Sequence, residues 1–508
     1  MKGWIATFAW LVGGPVLHSQ GFGTISGTIL DSSGAAVPRA AVTATESGTG
    51  LTRSAMSSAD GFFTIPSLRP TEYSVAVTAD GFRKYARSGV ILLADQSLTL
   101  TIDLEVGATN DSVVVTADAQ QVDTTTQTIR QVVDEARMVE LPLNGRNAAQ
   151  LTLLVAGAVT STNGGADQGD TKTFPGAVTI SANGSRQNQV AYYLDGGNNE
   201  DEYTNVNAPF PFPDALQEFS VQTSNYSAEY GHNAGAVVNI VTKSGTNQLH
   251  GDAFGFLRNA VFNARNFFAA RRDQLKRGQY GGTLGGPLYI PGVYNGKDRT
   301  FFFAGFQRTT LRNIGSTSST FVPTATEASG DFSGFSKPII DPNTITPTTP
   351  NGTPFAGNQI PSNRLDPASL ALLKYLPAAG PGGLVFYTKP LHQDFYDGLI
   401  RFDHSISVKD RLTARYFGTH FTKLPIYDPS NILSYADGSN IFAQNAIVKQ
   451  THIFSPGLLN DLRFSDARQK SDRGPAANVP SVRTLGVNIP FQPRIMRLRT
   501  SCSAASLC

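Results

Sequence analysis

The chain has 508 residues, 41 of them Lys or Arg and 39 Asp or Glu, so its formal charge is only +2. That balance offers no basic face for phosphate contacts and excludes nucleic acid as an expected partner, while 40% apolar residues exclude wholesale disorder. Charged residues make up 16%, below the roughly 25% of ordinary soluble domains, and 31 Phe and 16 Tyr suit β architecture, where aromatic side chains fit a pleated surface.

Residues 1–20 read as an export signal. Lys2 supplies the positive end, and Trp4 to Leu17 form an apolar stretch broken only by Gly, Pro and Thr7. That is shorter than the ~20 residues a spanning helix needs and suits the apolar part of a cleaved signal. No later run is long and apolar enough for a spanning helix, so any membrane crossing must be made of strands. Both cysteines, Cys502 and Cys508, lie at the end of the chain, which leaves the exported body without a disulfide framework or a Cys-based metal site.

Residues 22–106 show short alternating runs between turn residues. Val75, Val77 and Ala79 fall on one face of a strand, with Ser74, Ala76 and Thr78 on the other, and Asp60-Gly61 and Asp80-Gly81 mark turns. About seven short strands predict a two-sheet sandwich. The string Asp60-Gly61-Phe62-Phe63-Thr64-Ile65-Pro66-Ser67-Leu68-Arg69-Pro70, with Tyr73-Ser74-Val75 and Gly81-Phe82 after it, resembles the carboxypeptidase-regulatory-like domain. The resemblance implies an Ig- or transthyretin-like sandwich that heads outer-membrane receptors. Thr71 stands where that family commonly has Gly. None of the seven histidines begins an H-x-x-E or H-E-x-x-H pair, so no zinc site for peptidase chemistry is expected.

Asp111-Ser112-Val113-Val114-Val115-Thr116-Ala117 follows a flexible stretch. These β-branched residues can form one more strand of the sandwich. They also resemble the TonB box, the exposed segment by which outer-membrane receptors engage an inner-membrane energy-coupling protein. The chemistry suits that role, because a β-branched segment with free backbone groups can add as a strand to a partner's sheet edge.

Residues 118–245 carry an ordered set of motifs. Val132–Val139 looks helical, Leu141-Pro142-Leu143-Asn144-Gly145-Arg146-Asn147 punctuates, and Ala148–Val155 reads as a short apolar helix. Glu218-Phe219-Ser220-Val221-Gln222-Thr223 and Gly235 to Gly245 follow, and the order is similar to the plug of TonB-dependent receptors of the Oar-like branch. That resemblance implies a small α+β domain, with Arg146 and Arg186 as candidates to pair with carboxylates of a barrel wall. Asp195 to Glu202 offers hard oxygen atoms but lacks the Gly at position six and the distant Glu of a calcium loop, and reads as a solvated turn. No nucleophile elbow is present, and Gly292 to Lys297 is one residue short of a phosphate loop. The chain therefore reads as no enzyme, with no catalytic or metal residues and no cofactor.

From 246 to 470 the pattern is that of lipid-facing strands, apolar outward and polar inward. Ile400, Phe402 and Ile406 oppose Arg401, Asp403 and Ser405; Leu412, Ala414 and Tyr416 oppose Arg411, Thr413 and Arg415. Phe301-Phe302-Phe303 breaks the alternation and leaves its outer face unassigned. Residues 313–392 suit a long external loop, with a short helix capped by Asp366 and opened by Pro367.

The expected fold is mainly β: a sandwich, an α+β plug, then an incomplete antiparallel transmembrane barrel. About seven recognisable strands cannot enclose a plug, whose barrels belong to the 22-strand class. Residues 471–508 read as an irregular tail with a truncated or frameshifted end, so that the chain is a fragment unable to transport alone. What the resemblance implies is an outer-membrane receptor, its sandwich and Asp111–Ala117 in the periplasm. It would contact lipid, bind an unidentified extracellular ligand and import it through a TonB-type partner. A surface-adhesion barrel without transport is the second reading.

Overall fold

The computed structural model describes residues 21–107, 112–116, 128–141, 143–160, 177–186, 188–201, 205–226, 230, 233–265, 267, 272–313, 317–455, 458–487 and 502–507, giving only the strand course for 112–116 and 502–507. The expected export signal, Asp111 and Ala117 lie outside these residues.

Eight strands build the first unit: β1 (Gly23–Asp31), β2 (Ala41–Glu46), β3 (Thr52–Met56), β4 (Phe62–Leu68), β5 (Thr71–Thr78), β6 (Lys84–Leu92), β7 (Ser97–Leu104) and β8 (Ser112–Thr116). One sheet has the order β4-β1-β7 and the other β3-β2-β5-β6-β8. Alternate residues meet between them, Ile25, Ile29, Phe63 and Leu100 from the first sheet and Val42, Val75, Val77 and Val90 from the second. Thr71 already belongs to extended β5; the left-handed residue before that corner is Ser67, near the end of β4, at φ 58°. The Tyr73 hydroxyl donates back to the Arg69 carbonyl at 3.1 Å and closes that corner.

The middle unit is a five-stranded mixed sheet. Its strands are β9 (Ile129–Asp134), β10 (Val190–Leu194), β11 (Gly197–Asn198), β12 (Leu216–Ser224) and β13 (Ala236–Thr242), in the order β11-β10-β13-β12-β9. The helical pattern expected over Val132–Val139 is divided between two elements. Val132 and Val133 pair with Ser220 and Phe219 in the sheet, because β-branched residues suit the ladder. Asp134 then caps α1 (Glu135–Glu140), accepting from the Arg137 amide at 2.9 Å. The short apolar helix expected at Ala148–Val155 is a 3₁₀ helix over Ala148–Leu154.

The third unit is one antiparallel sheet in chain order: β14 (His250–Asn259), β15 (Lys276–Pro287), β16 (Thr300–Asn313), β17 (Leu391–Ser405), β18 (Asp410–Lys423), β19 (Gly438–Ser455), β20 (Leu458–Gly474) and β21 (Cys502–Leu507). Its two faces differ as period-two patterning requires. Phe302, Phe402, Ala414, Val448 and Phe464 lie in register across five strands. Of these, Phe402 is 39% and Phe464 48% exposed, whereas Phe301 and Phe303 are 1% exposed, Phe303 in the core of the middle unit. The Phe triplet thus keeps the alternation, with Phe302 outward. The tail expected to be irregular continues β20 to Gly474 and pairs Cys502–Leu507 on it as β21. No helix among the described residues is long and apolar enough to cross a membrane, which says nothing of strands.

Candidate functional site

Period two puts Arg401 and Asp403 of β17 and Arg415 of β18 on the inner face, where all three are buried. The chain reverses after β10 at Asp195-Gly196, with φ 52° and 83°, and this turn carries the Asp195 carboxylate to those arginines. Arg401 donates from Nη1 to Asp195 at 3.3 Å and to the Thr242 carbonyl at 2.8 Å, and from Nε to Asp403 at 2.9 Å. Arg415 donates to Asp195 at 2.9 Å, to the Leu194 carbonyl at 2.9 Å and to Asn445 at 2.7 Å. The Thr242 amide also donates to Asp195 at 2.9 Å. From the sandwich, Arg69 pairs with Asp403 and lies 3.9 Å from Glu46. Arg411 is buried beside them. One ionic seam therefore joins all three units.

The turn expected to be solvated is instead packed inside. Gly196 lies so close to Arg463 that a Cβ would sit 2.7 Å from Nη1, and Asn199 is buried, donating to the Pro209 carbonyl and accepting from Asn445. The third unit supplies hydrogen bonds to this turn, from Arg401 and Arg415 to Asp195 and from Asn445 to the Asn198 carbonyl. Neither sequence-proposed arginine meets a wall carboxylate. Arg186 is exposed, and Arg146 pairs with Asp214 of its own unit at 2.6 Å while its guanidinium lies 4.1 Å from the Phe256 ring centre. Burial raises the pKa of Asp214, and Arg146 pulls it back. The Leu141–Asn147 motif docks on the wall through Gly145, whose carbonyl accepts from Arg277 and Gln279.

A second contact joins the sandwich to the middle sheet. The loop after β6 sends its Ala94 amide to Glu218 at 2.9 Å, and Asp95 accepts from Asn239 at 2.7 Å and Tyr230 at 3.1 Å. Burial pushes Glu218 up to about 7, against the opposing pull of the Ala94 amide and Arg130.

The Asp111–Ala117 segment is described over Ser112–Thr116. Those residues form β8, parallel to β6, with Ser112 opposite Lys84 and Thr116 opposite Ser88. Residues 317–390 fold into short pieces. Asp366 caps α2 (Pro367–Leu373), accepting from the Ser369 amide at 2.7 Å, and an open cavity of about 410 Å³ is lined by Phe386, Tyr387, Ile426 and Asp428. No group of three or more metal-ligating side chains occurs among the described residues.

The outer membrane beta barrel domain family matches residues 241–502. The chain belongs to that family. The protein is accordingly localised to the outer membrane. The carboxypeptidase regulatory-like domain matches residues 24–105 of this barrel-family chain. The chain is 27% identical over 300 residues to the TonB-dependent transporter Oar of Myxococcus xanthus, covering 56% of itself and 26% of that relative. It thus spans about a quarter of the curated relative's length. Among solved structures, a mutant ferric enterobactin receptor of Pseudomonas aeruginosa aligns at a TM-score of 0.40 and 12% identity over 75% of this chain and 44% of that one. The outer membrane transporter YddB of Escherichia coli gives 0.40 and 12% over 68% and 39%.

Sequence reasoning placed Arg401, Asp403 and Arg415 on the inner face but missed their partner. The signal for Asp195 was three charged side chains on one face of neighbouring strands, which required an answering charge from the segment they enclose.

Proposed function

We propose that this chain forms part of a TonB-dependent outer-membrane receptor of the Oar-like type. The middle unit acts as the plug, the antiparallel sheet as part of the barrel wall, and the sandwich together with Asp111–Ala117 faces the periplasm. The observation that carries this reading is the ionic seam, in which Asp195 of the middle unit meets Arg401 and Arg415 on the inner face of the wall. Such a seam suits a plug held inside a barrel, where polar contacts add to the apolar packing on Phe303, Leu399 and Phe417.

In this reading an extracellular ligand is met first by the loop between β16 and β17. The energy-coupling partner then adds a strand to Ser112–Thr116 and pulls along the chain. The outer membrane has no ATP or potential of its own, so the work must come from the inner membrane, where about 2.3 kcal/mol per charge per 100 mV is available. Replacing Val113–Val115 with proline in the full-length receptor removes backbone donors that strand addition needs. Ligand uptake then stops while surface binding persists. Unchanged uptake would sink the motor role of this segment.

A further inference from the structure

In the receptor reading, Ser112–Thr116 must be reachable by a partner's sheet edge. In the structure it already has a partner. β8 lies parallel to β6, with the register Lys84–Ser112, Tyr85–Val113, Ala86–Val114, Arg87–Val115 and Ser88–Thr116. The seat has a defined length. Immediately beyond Ser88, Gly89 adopts φ 74°, and the β5–β6 register shifts between Tyr73 and Val75. Such a bulge locally disrupts the ladder and bends the strand that carries it; β5 pairing resumes beyond it at Val90, whereas the pairing with β8 covers Lys84 to Ser88. At the other end, the chain entering β8 is pinned where the Gly107 amide donates to the Gly81 carbonyl at 3.1 Å and Val106 bridges Phe82.

An uncovered β6 would be an exposed sheet edge, which proteins avoid leaving open. A five-residue parallel pairing at the rim covers it and is short enough to be released. The seat is also tied to the middle unit. The loop that follows β6 is the one whose Ala94 and Asp95 bond Glu218, Tyr230 and Asn239.

We propose that β6 is the resting seat of the coupling segment: β8 is stored on the Lys84–Ser88 edge and must leave it before the energy-coupling partner adds its strand. The inference rests on the receptor reading and adds that the sandwich competes with the partner for the same strand.

The test uses the full chain in a Cys502→Ser, Cys508→Ser background carrying Ala86→Cys and Val114→Cys, which are opposite in register. The probe is the purified periplasmic domain of the source organism's TonB-type protein. The disulfide is expected to form on oxidation and to weaken probe binding at least about tenfold, with reductant restoring it. In the unaltered chain, adding the probe is expected to speed hydrogen exchange of the Lys84–Ser88 amides that face β8. Failure of the disulfide to form, or full binding by the oxidised form, overturns the seat. So does unchanged or slower exchange at Lys84–Ser88, which would mean that the partner adds to the free edge of β8. If the probe binds neither the reduced variant nor the unaltered chain, the receptor reading fails instead. The seat is then decided by disulfide formation and by protection of Ser112–Thr116 without the probe.

Discussion

Asp195 is the one carboxylate of the seam that belongs to the middle unit, and it is the place to test what holds that unit against the wall. Its side chain is 9% exposed and that of Arg415 is 0% exposed. Asp195→Asn is the clean perturbation, because Asn tolerates the left-handed φ of 52° whereas other non-glycine residues are strained there. Removing one partner of a buried pair costs about 3–5 kcal/mol. Arg401 keeps Asp403, and Arg415 keeps Asn445 and the Leu194 carbonyl, so the lower end applies, about 3 kcal/mol. At about 1.4 kcal/mol per decade, that raises the population of the undocked unit by about 100-fold.

Hydrogen exchange of the β10 and β13 amides in the intact, membrane-embedded protein reads this population. The change should persist as salt is raised, since screening acts on exposed charges and not on buried ones. Combining Asp195→Asn with Arg415→Gln should cost less than the sum of the two, because the second change removes the stranded charge left by the first. An exchange increase below about threefold, or about 0.6 kcal/mol, would mean that apolar packing on Phe303, Leu399 and Phe417 holds the unit and the seam contributes little.

Other consequences follow from the same contacts. Burial holds the Glu218 carboxyl up to about 7 in the folded protein, from an ordinary value of 4.5. The folded state therefore binds the extra proton between those values, and this group's contribution to stability is fully present below pH 4.5 and is lost as pH rises to about 7. The loss is at most about 3 kcal/mol. Glu218→Gln keeps an acceptor for the Ala94 amide and should flatten the melting temperature across that window. Gly145→Ala should destabilise by about 1–3 kcal/mol in chemical unfolding, since φ is 70° and the new Cβ would lie 2.1 Å from Arg277 Nη1. Gly184→Ala, at φ 75° with nothing within 4 Å, isolates the backbone strain and should cost less. On the outer face, Phe402→Lys should lower membrane assembly of the full-length protein, by about 2–4 kcal/mol if the site lies at mid-bilayer; a heat-modifiability gel measures the folded fraction.

Where the sequence was informative, the reason was local. Val75 and Val77, or Ile400 and Phe402 against Arg401 and Asp403, declare their faces because a strand has a period of two and its burial is one-sided. The Phe301-Phe302-Phe303 run hid its face because composition is silent when both sides are apolar; burial of the inner face separates Phe301 and Phe303 from Phe302. Val132–Val139 misled for a related reason. Its apolar spacing fits either period, and the partner that decides is β12, more than eighty residues away in sequence. The Asp195 turn was the largest error, and its cause is general. A run of Asp, Gly, Asn and Glu is solvated only if nothing else supplies its hydrogen bonds, and here Arg401, Arg415 and Asn445 do so from strands over two hundred residues later. Charged positions on the inner face of the wall and polar turns in the segment before it are thus two halves of one interface. Each half looks like ordinary surface when read alone, and pairing the two across the chain is the step that reveals the seam.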